Sequence, residues 1–135
     1  MITKELLNSY KATCYSIIEP EIDIYVQEEN SLLNTFLESN NFKTWCFITA
    51  WNPFSESLTT EENISLNELL KADLVNYPFF HAIGKDTLGV WPPEVSFFVA
   101  NISKEESISL GKKYQQNALV FGKVNELSEL ILLVK

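Results

Sequence analysis

The chain has 135 residues, 46% of them hydrophobic and 13% aromatic, which is enough to fill one core and too apolar for a disordered chain. Its formal net charge is −8 and its ten basic residues are all lysine, which argues against a partner rich in nucleic-acid phosphate and against an anionic membrane surface. No apolar run approaches the ~20 residues that span a bilayer.

The length is that of a single domain over residues 1–135. Residues 1–10 carry Lys4 and Glu5 and lack an apolar run followed by small residues, so they are not read as a signal peptide. Thr3 can cap a short helix with Leu6, Leu7 and Tyr10 on one side. Thr13 to Ile18 reads as a strand. Glu19-Pro20-Glu21 makes a turn. Ile22, Ile24 and Val26 then alternate with polar residues as a half-buried strand should, giving a hairpin.

Asn30 can cap the next helix, which carries Leu32, Leu33, Phe36 and Leu37 at helical spacing and ends at Asn40-Asn41. Trp45 to Trp51 is apolar on both faces except at Thr49, as expected of a central strand, and it stops at Asn52-Pro53. Thr59 and Glu62 match a capping box. The helix they open runs to about Val75 and stops before Pro78, since the residue preceding a proline avoids the helical conformation.

Phe79 to Ile83 predicts a short strand and Gly84 to Gly89 a loop; Trp91-Pro92-Pro93 is stiff, and Val95 to Ile102 is a strongly apolar strand. Ser103 and Glu106 form a second capping box, opening a helix to about Tyr114. Ala118–Phe121 and Leu130–Val134 predict a closing hairpin across residues 122–128. The expected fold class is α+β. It has a mixed, largely antiparallel sheet of about six to seven strands with three to four packed helices.

Motifs for common chemistries are absent. There is no glycine-rich phosphate loop, no GxSxG elbow, no HExxH and no CxxC. Cys14 and Cys46 with the single histidine, His81, do not supply the ligands of a usual zinc site, so no metal and no cofactor are expected. The cysteines read as reduced, buried thiols of a cytoplasmic protein. His81 reads as an ordinary strand histidine rather than a proton shuttle.

The residues with chemical promise cluster at element junctions. Asn63 and Asn67 lie on the helix stripe that carries Leu70 and Leu74 and should face the core. A buried amide left unpaired costs about 1–3 kcal/mol, so these two either bond backbone at a neighbouring strand end or line a polar pocket. Asn52 and Ser55 follow the apolar strand that ends at Trp51, where a rigid sheet meets a solvent-facing loop. Glu62 lies nearby, and its capping-box partnership competes with any catalytic use. Trp91, Glu94 and Ser96 form a second junction, where an acidic residue entering an apolar strand can be held with a raised pKa. Gln116 and Asn117 form a third, which reads first as a helix end and otherwise as amides for gripping a ligand.

These blocks resemble a family. Cys46-Phe47-Ile48-Thr49-Ala50-Trp51-Asn52-Pro53 with Ser55 is similar to the signature of the mostly bacterial domain of unknown function 3293. Glu62-Asn63 with Asn67, Trp91-Pro92-Pro93-Glu94 with Ser96-Phe97, and Leu110-Gly111 with Gln116-Asn117-Ala118 resemble its later blocks. The resemblance covers roughly Thr13 to Leu132. It implies that the junctions and the helix face form one recurring pattern, and it implies no particular activity, substrate or cofactor. The chain departs from the pattern at Leu66, where an Arg is common, and at Lys112-Lys113, where a basic pair often includes Arg. If that Arg holds a ligand anion in the family, the contact is missing here.

Three functions follow as expectations. The first is a small-molecule, nucleotide-like pocket built from Trp51, Asn52, Ser55, Asn63, Asn67, Trp91, Glu94, Gln116 and Asn117. The second is hydrolysis in the same pocket with Glu94 or Glu62 as acid or base. The third is an acidic interaction or inhibitor protein that meets a basic protein partner.

Overall fold

The computed structural model describes residues 2–89 and 91–134. The elements are α1 (Lys4–Ala12), β1 (Thr13–Ile17), β2 (Ile22–Ile24), α2 (Ser31–Ser39), β3 (Thr44–Ile48), α3 (Thr60–Asp73), β4 (Phe79–Asp86), β5 (Glu94–Ala100), α4 (Lys104–Lys113), β6 (Ala118–Lys123) and β7 (Glu129–Leu132). Seven strands form one sheet in the order β2-β1-β4-β5-β3-β6-β7, and every ladder is antiparallel. The α+β, largely antiparallel expectation holds.

Local chemistry sets the helix starts. Thr3, Asn30, Thr59 and Ser103 each accept a hydrogen bond from a first-turn backbone N–H, and the last two complete reciprocal capping boxes with Glu62 and Glu106. Asn41 and Gln115 take left-handed conformations just after α2 and α4, at φ 57° each.

The sheet buries both faces. Along β3, Trp45 and Phe47 enter one apolar cluster with Leu33 and Leu37 of α2, while Cys46 and Ile48 enter another with Leu70 of α3. Tyr114, beyond α4, joins the second cluster. Alternation along each strand thus places α2 on one face and α3 with α4 on the other. Phe98 is fully buried and stacks on Trp45 with ring centroids 5.2 Å apart. Each such ring contributes roughly 2–3 kcal/mol. Cys14 and Cys46 are both free and buried.

The sheet curls far enough for the segments next to its two edge strands to touch. The Gln27 amide, just beyond β2, donates to the Ser128 carbonyl at 3.1 Å and lies 3.2 Å from its hydroxyl, just before β7. The result is a half-barrel with a concave face, over which α1 and α2 pack.

Most predicted strand boundaries shift by one or two residues, and two ends move by three. The strand expected over Trp45–Trp51 stops at Ile48, because the backbone beyond it bonds to side chains instead of a neighbouring strand. The strand expected over Phe79–Ile83 continues through Gly84 to Asp86, because β1 and β5 pair with it on both sides. Gly84 belongs to this strand rather than to a loop. Val90 lies outside the described residues. Among the described residues no helix is long and apolar enough to cross a membrane, and no group of three or more His, Cys, Asp or Glu could hold a metal ion.

Candidate functional site

The exit of β3 is built by side chains. The Thr49 hydroxyl donates to the Val95 carbonyl at 2.7 Å and accepts from the Trp51 amide at 3.0 Å. Asn67 accepts from the Ala50 amide at 2.9 Å and donates to the Val95 carbonyl at 2.9 Å. Asn63 accepts from the Asn52 amide and donates to the Asn52 side-chain carbonyl, both at 2.8 Å. Both amides are almost completely buried, at 1% and 5% exposure, so their stripe on α3 faces the core as expected. They stand behind the site and hold its backbone; neither lines the cavity. Three of these four partners are backbone groups left without a strand neighbour where β3 leaves the sheet, and the fourth is the Asn52 side-chain carbonyl.

Asn67→Leu is therefore expected to lower stability by about 2–3 kcal/mol, since it strands a buried N–H and weakens the satisfaction of Val95. Urea denaturation checks this. A loss below about 0.5 kcal/mol would show that the amide is dispensable to the loop.

The loop so anchored is strained. Asn52, Phe54 and Ser55 all have positive φ, at 47°, 53° and 60°. Non-glycine residues adopt this region at an energetic cost, and several in one short segment need surroundings that impose them. Here Asn63 grips Asn52, and the Phe54 amide donates to the Gln115 carbonyl at 2.6 Å. The Ser55 hydroxyl is bonded to the Tyr10 hydroxyl at 2.9 Å and accepts from the Asn117 side chain at 3.0 Å.

The strained loop closes one end of a cavity of about 100 Å³ on the concave face. From the sheet, Tyr15, Phe47, Gly84, Glu94 and Ser96 form its floor. Tyr10 of α1, together with Trp51, Trp91 and Gln116, forms walls. Asn52 and Ser55 complete it, so the structure brings together six of the predicted residues: Trp51, Asn52, Ser55, Trp91, Glu94 and Gln116. Asn117 reaches the site through Ser55. Glu62 does not line it: it is exposed, and its carboxylate accepts from the Thr59 amide and hydroxyl at 3.2 and 2.9 Å. His81 lies outside it as well, against Phe79 and Phe97, which belong to the opposite face.

Glu94 is the group with altered chemistry. Burial pushes its carboxyl up to about 7, against which a hydrogen bond from Asn52 acts in the lowering direction. The Asn52 side-chain carbonyl already accepts from Asn63 and from the Leu58 amide, which leaves its NH₂ to serve Glu94. Burial also raises the Tyr15 phenol, whose hydroxyl donates to the Tyr10 carbonyl at 2.9 Å. Near neutral pH the site therefore holds a carboxyl able to exchange a proton beside a phenol that keeps its own.

Sequence reasoning missed Tyr10, Tyr15 and Asp86, which also line the cavity. Tyr15 carried a faint signal as a strand residue of fixed parity. Nothing local showed that α1 folds over the sheet.

The fold and the site define an antiparallel α+β protein with a polar, aromatic-walled cavity in the hollow of its sheet. The chain belongs to the family described as Protein of unknown function (DUF3293), whose model matches residues 48–119. That span includes the strained loop, both buried amides, Glu94 and Gln116. No curated protein and no solved structure matches the chain.

Proposed function

We propose that the concave cavity binds a small polar molecule and that Glu94 is its proton-exchanging group. The observation that carries this reading is a carboxyl desolvated on the wall of an aromatic-lined cavity and held by Asn52. Functional sites gather such groups more often than structural positions do. The strained loop, set by Asn63 and Asn67, supports it further.

The volume bears on what fits. Pockets for drug-sized ligands run to about 300–1,000 Å³, whereas this one holds about 100 Å³. One ring or a short branched chain suits it better than a whole nucleotide. Fragment screening by ¹H–¹⁵N NMR tests the reading, with the indole N–H signals of Trp51 and Trp91 as reporters. Hits are expected to shift both. Trp91→Ala should keep the fold and reduce the thermal stabilisation given by those hits. A screen whose hits all lie elsewhere would overturn the proposal.

A second reading, hydrolysis with Glu94 as general acid or base, draws support from its carboxyl lying near 7, where both protonation states are accessible. Glu62 does not share in it. Turnover would then depend on pH and be lost in Glu94→Gln. The single sheet, uniting strands from both ends of the chain, also supports reading residues 1–135 as one domain. The two free buried thiols support a reducing, cytoplasmic setting.

A further inference from the structure

The charge of the cavity wall is one-sided. The charged side chains among its described lining residues are Asp86 and Glu94, both acidic, and no Lys, Arg or His is among those lining residues. The whole chain adds a net charge of −8. An anion entering the hollow would meet two carboxyls and no cation, with little water to screen them. A cation would meet attraction from both and would be drawn in by the field of the molecule.

The walls favour the same sign. Five aromatic rings line the space: Tyr10, Tyr15, Phe47, Trp51 and Trp91. Aromatic faces carry negative potential, and Trp binds organic cations best of the three ring types. Asp86 holds the backbone that carries one of these rings, because its carboxylate accepts from the Trp91 backbone amide at 3.0 Å as well as from that of Leu88 at 3.0 Å. Glu94 takes a hydrogen bond from Asn52, and a carboxylate has room for about four. It therefore keeps acceptor capacity for a ligand N–H.

We infer that the ligand is an organic cation, a protonated or methylated amine of a few carbons, seated among the aromatic walls with its charge against the Glu94 carboxylate. The inference rests on the cavity being a binding site and adds the class of molecule it takes. The size of the hollow agrees: an apolar cavity of about 150 Å³ accepts a benzene ring, so one of 100 Å³ suits a short alkylammonium.

The proposal has a pH signature. The titratable groups facing Glu94 across the cavity are Tyr10 from α1, Tyr15 from β1 and Asp86 from β4. Ionised Glu94 binds the cation and protonated Glu94 does not, so affinity should rise from pH 5 to pH 8.

The test uses the intact chain at constant ionic strength. Butylammonium and tetramethylammonium are titrated beside neutral butan-1-ol and tert-butanol and beside anionic butyrate. The indole signals of Trp51 and Trp91 report binding, and that of the core residue Trp45 serves as control. The expected result is an ammonium affinity at least ~10-fold above that of the neutral isostere, no binding of butyrate, and tightening with pH. Glu94→Gln should weaken ammonium binding by at least ~10-fold and remove the pH dependence; Trp91→Ala should weaken it with the pH dependence retained. If the alcohols bind as well as the ammonium ions, or butyrate binds better, the cation inference is wrong while the cavity remains a binding site. If no probe shifts Trp51 or Trp91, and the fragment screen also leaves them unmoved, both readings fall together.

Discussion

Replacing Glu94 with Gln is expected to stabilise the protein by about 2 kcal/mol at pH 8 and by less than ~0.5 kcal/mol at pH 4.5. The reason is the direction of the shift. The carboxyl moves from 4.5 in the unfolded chain to about 7 in the folded one, so the native state holds this proton more tightly. Its favourable contribution is complete below pH 4.5 and is lost as pH rises through 7. The full shift corresponds to at most ~3.4 kcal/mol, and partial solvent contact reduces it to about 2. Gln keeps the shape and removes the ionisation, so the mutant should lack this loss.

Urea denaturation of both proteins across that range checks the difference, which isolates Glu94 from every other group. Asp73 and Glu106, whose carboxyls are lowered mainly by hydrogen bonds with Lys113 and Tyr77, act in the opposite direction. Each contributes stability that is lost as pH falls through its lowered pKa, and each does so equally in both proteins. Parallel stability profiles for wild type and mutant would show that the Glu94 carboxyl is as well solvated as any on the surface.

Gly122→Ala is expected to destabilise the protein by about 3 kcal/mol, a fall in Tm of roughly 10 °C for a chain of this size. Gly122 lies in β6 opposite Trp45 of β3. A methyl group there would come within 2.5–2.6 Å of three atoms of the Trp45 indole. That indole cannot retreat: it is fully buried and stacked on Phe98. Displacing it would disturb the cluster that α2 covers.

Gly111→Ala is the control. Its added methyl meets the tip of Leu133, a flexible side chain beyond β7, and comes within 3.0 Å of the end of the Leu119 side chain. Alanine also gains about 1 kcal/mol over glycine within a helix, so the net change should lie within about 1 kcal/mol of zero. Thermal unfolding of the two variants side by side decides the matter. Equal melting temperatures would mean that the Trp45 ring moves aside freely and that the stacked core is looser than its geometry indicates.

These contrasts show which features the chain states locally. Capping boxes were legible because their chemistry spans only four positions, as with Thr59 and Glu62. The strands were legible by parity, as with Ile22 and Ile24. Asn63 and Asn67 stood out because amides on a core-facing stripe demand partners. What local pattern could not supply was the identity of those partners, since Ala50, Asn52 and Val95 come from other elements. The strand order was hidden for the same reason: it places β5 between β4 and β3, and pairing between distant segments leaves no nearby mark. Glu94 was legible as an acid entering an apolar strand, and Trp51 and Trp91 were legible from their places at strand junctions. Tyr10 and Tyr15 were not, because α1 and β1 reach the hollow only after the sheet has curled.

The bond between Gln27 and Ser128 has a consequence for crowded solutions. Every open sheet ends in two strands whose spare amides and carbonyls can recruit a neighbouring chain, and natural proteins blunt such margins. Here the margins are the three residues of β2 and the four of β7, and the curl directs part of one toward the other. A second molecule seeking to extend the sheet would find only short templates, partly occupied from within, so growth into a continuous ribbon is disfavoured by the same curvature that hollows out the cavity.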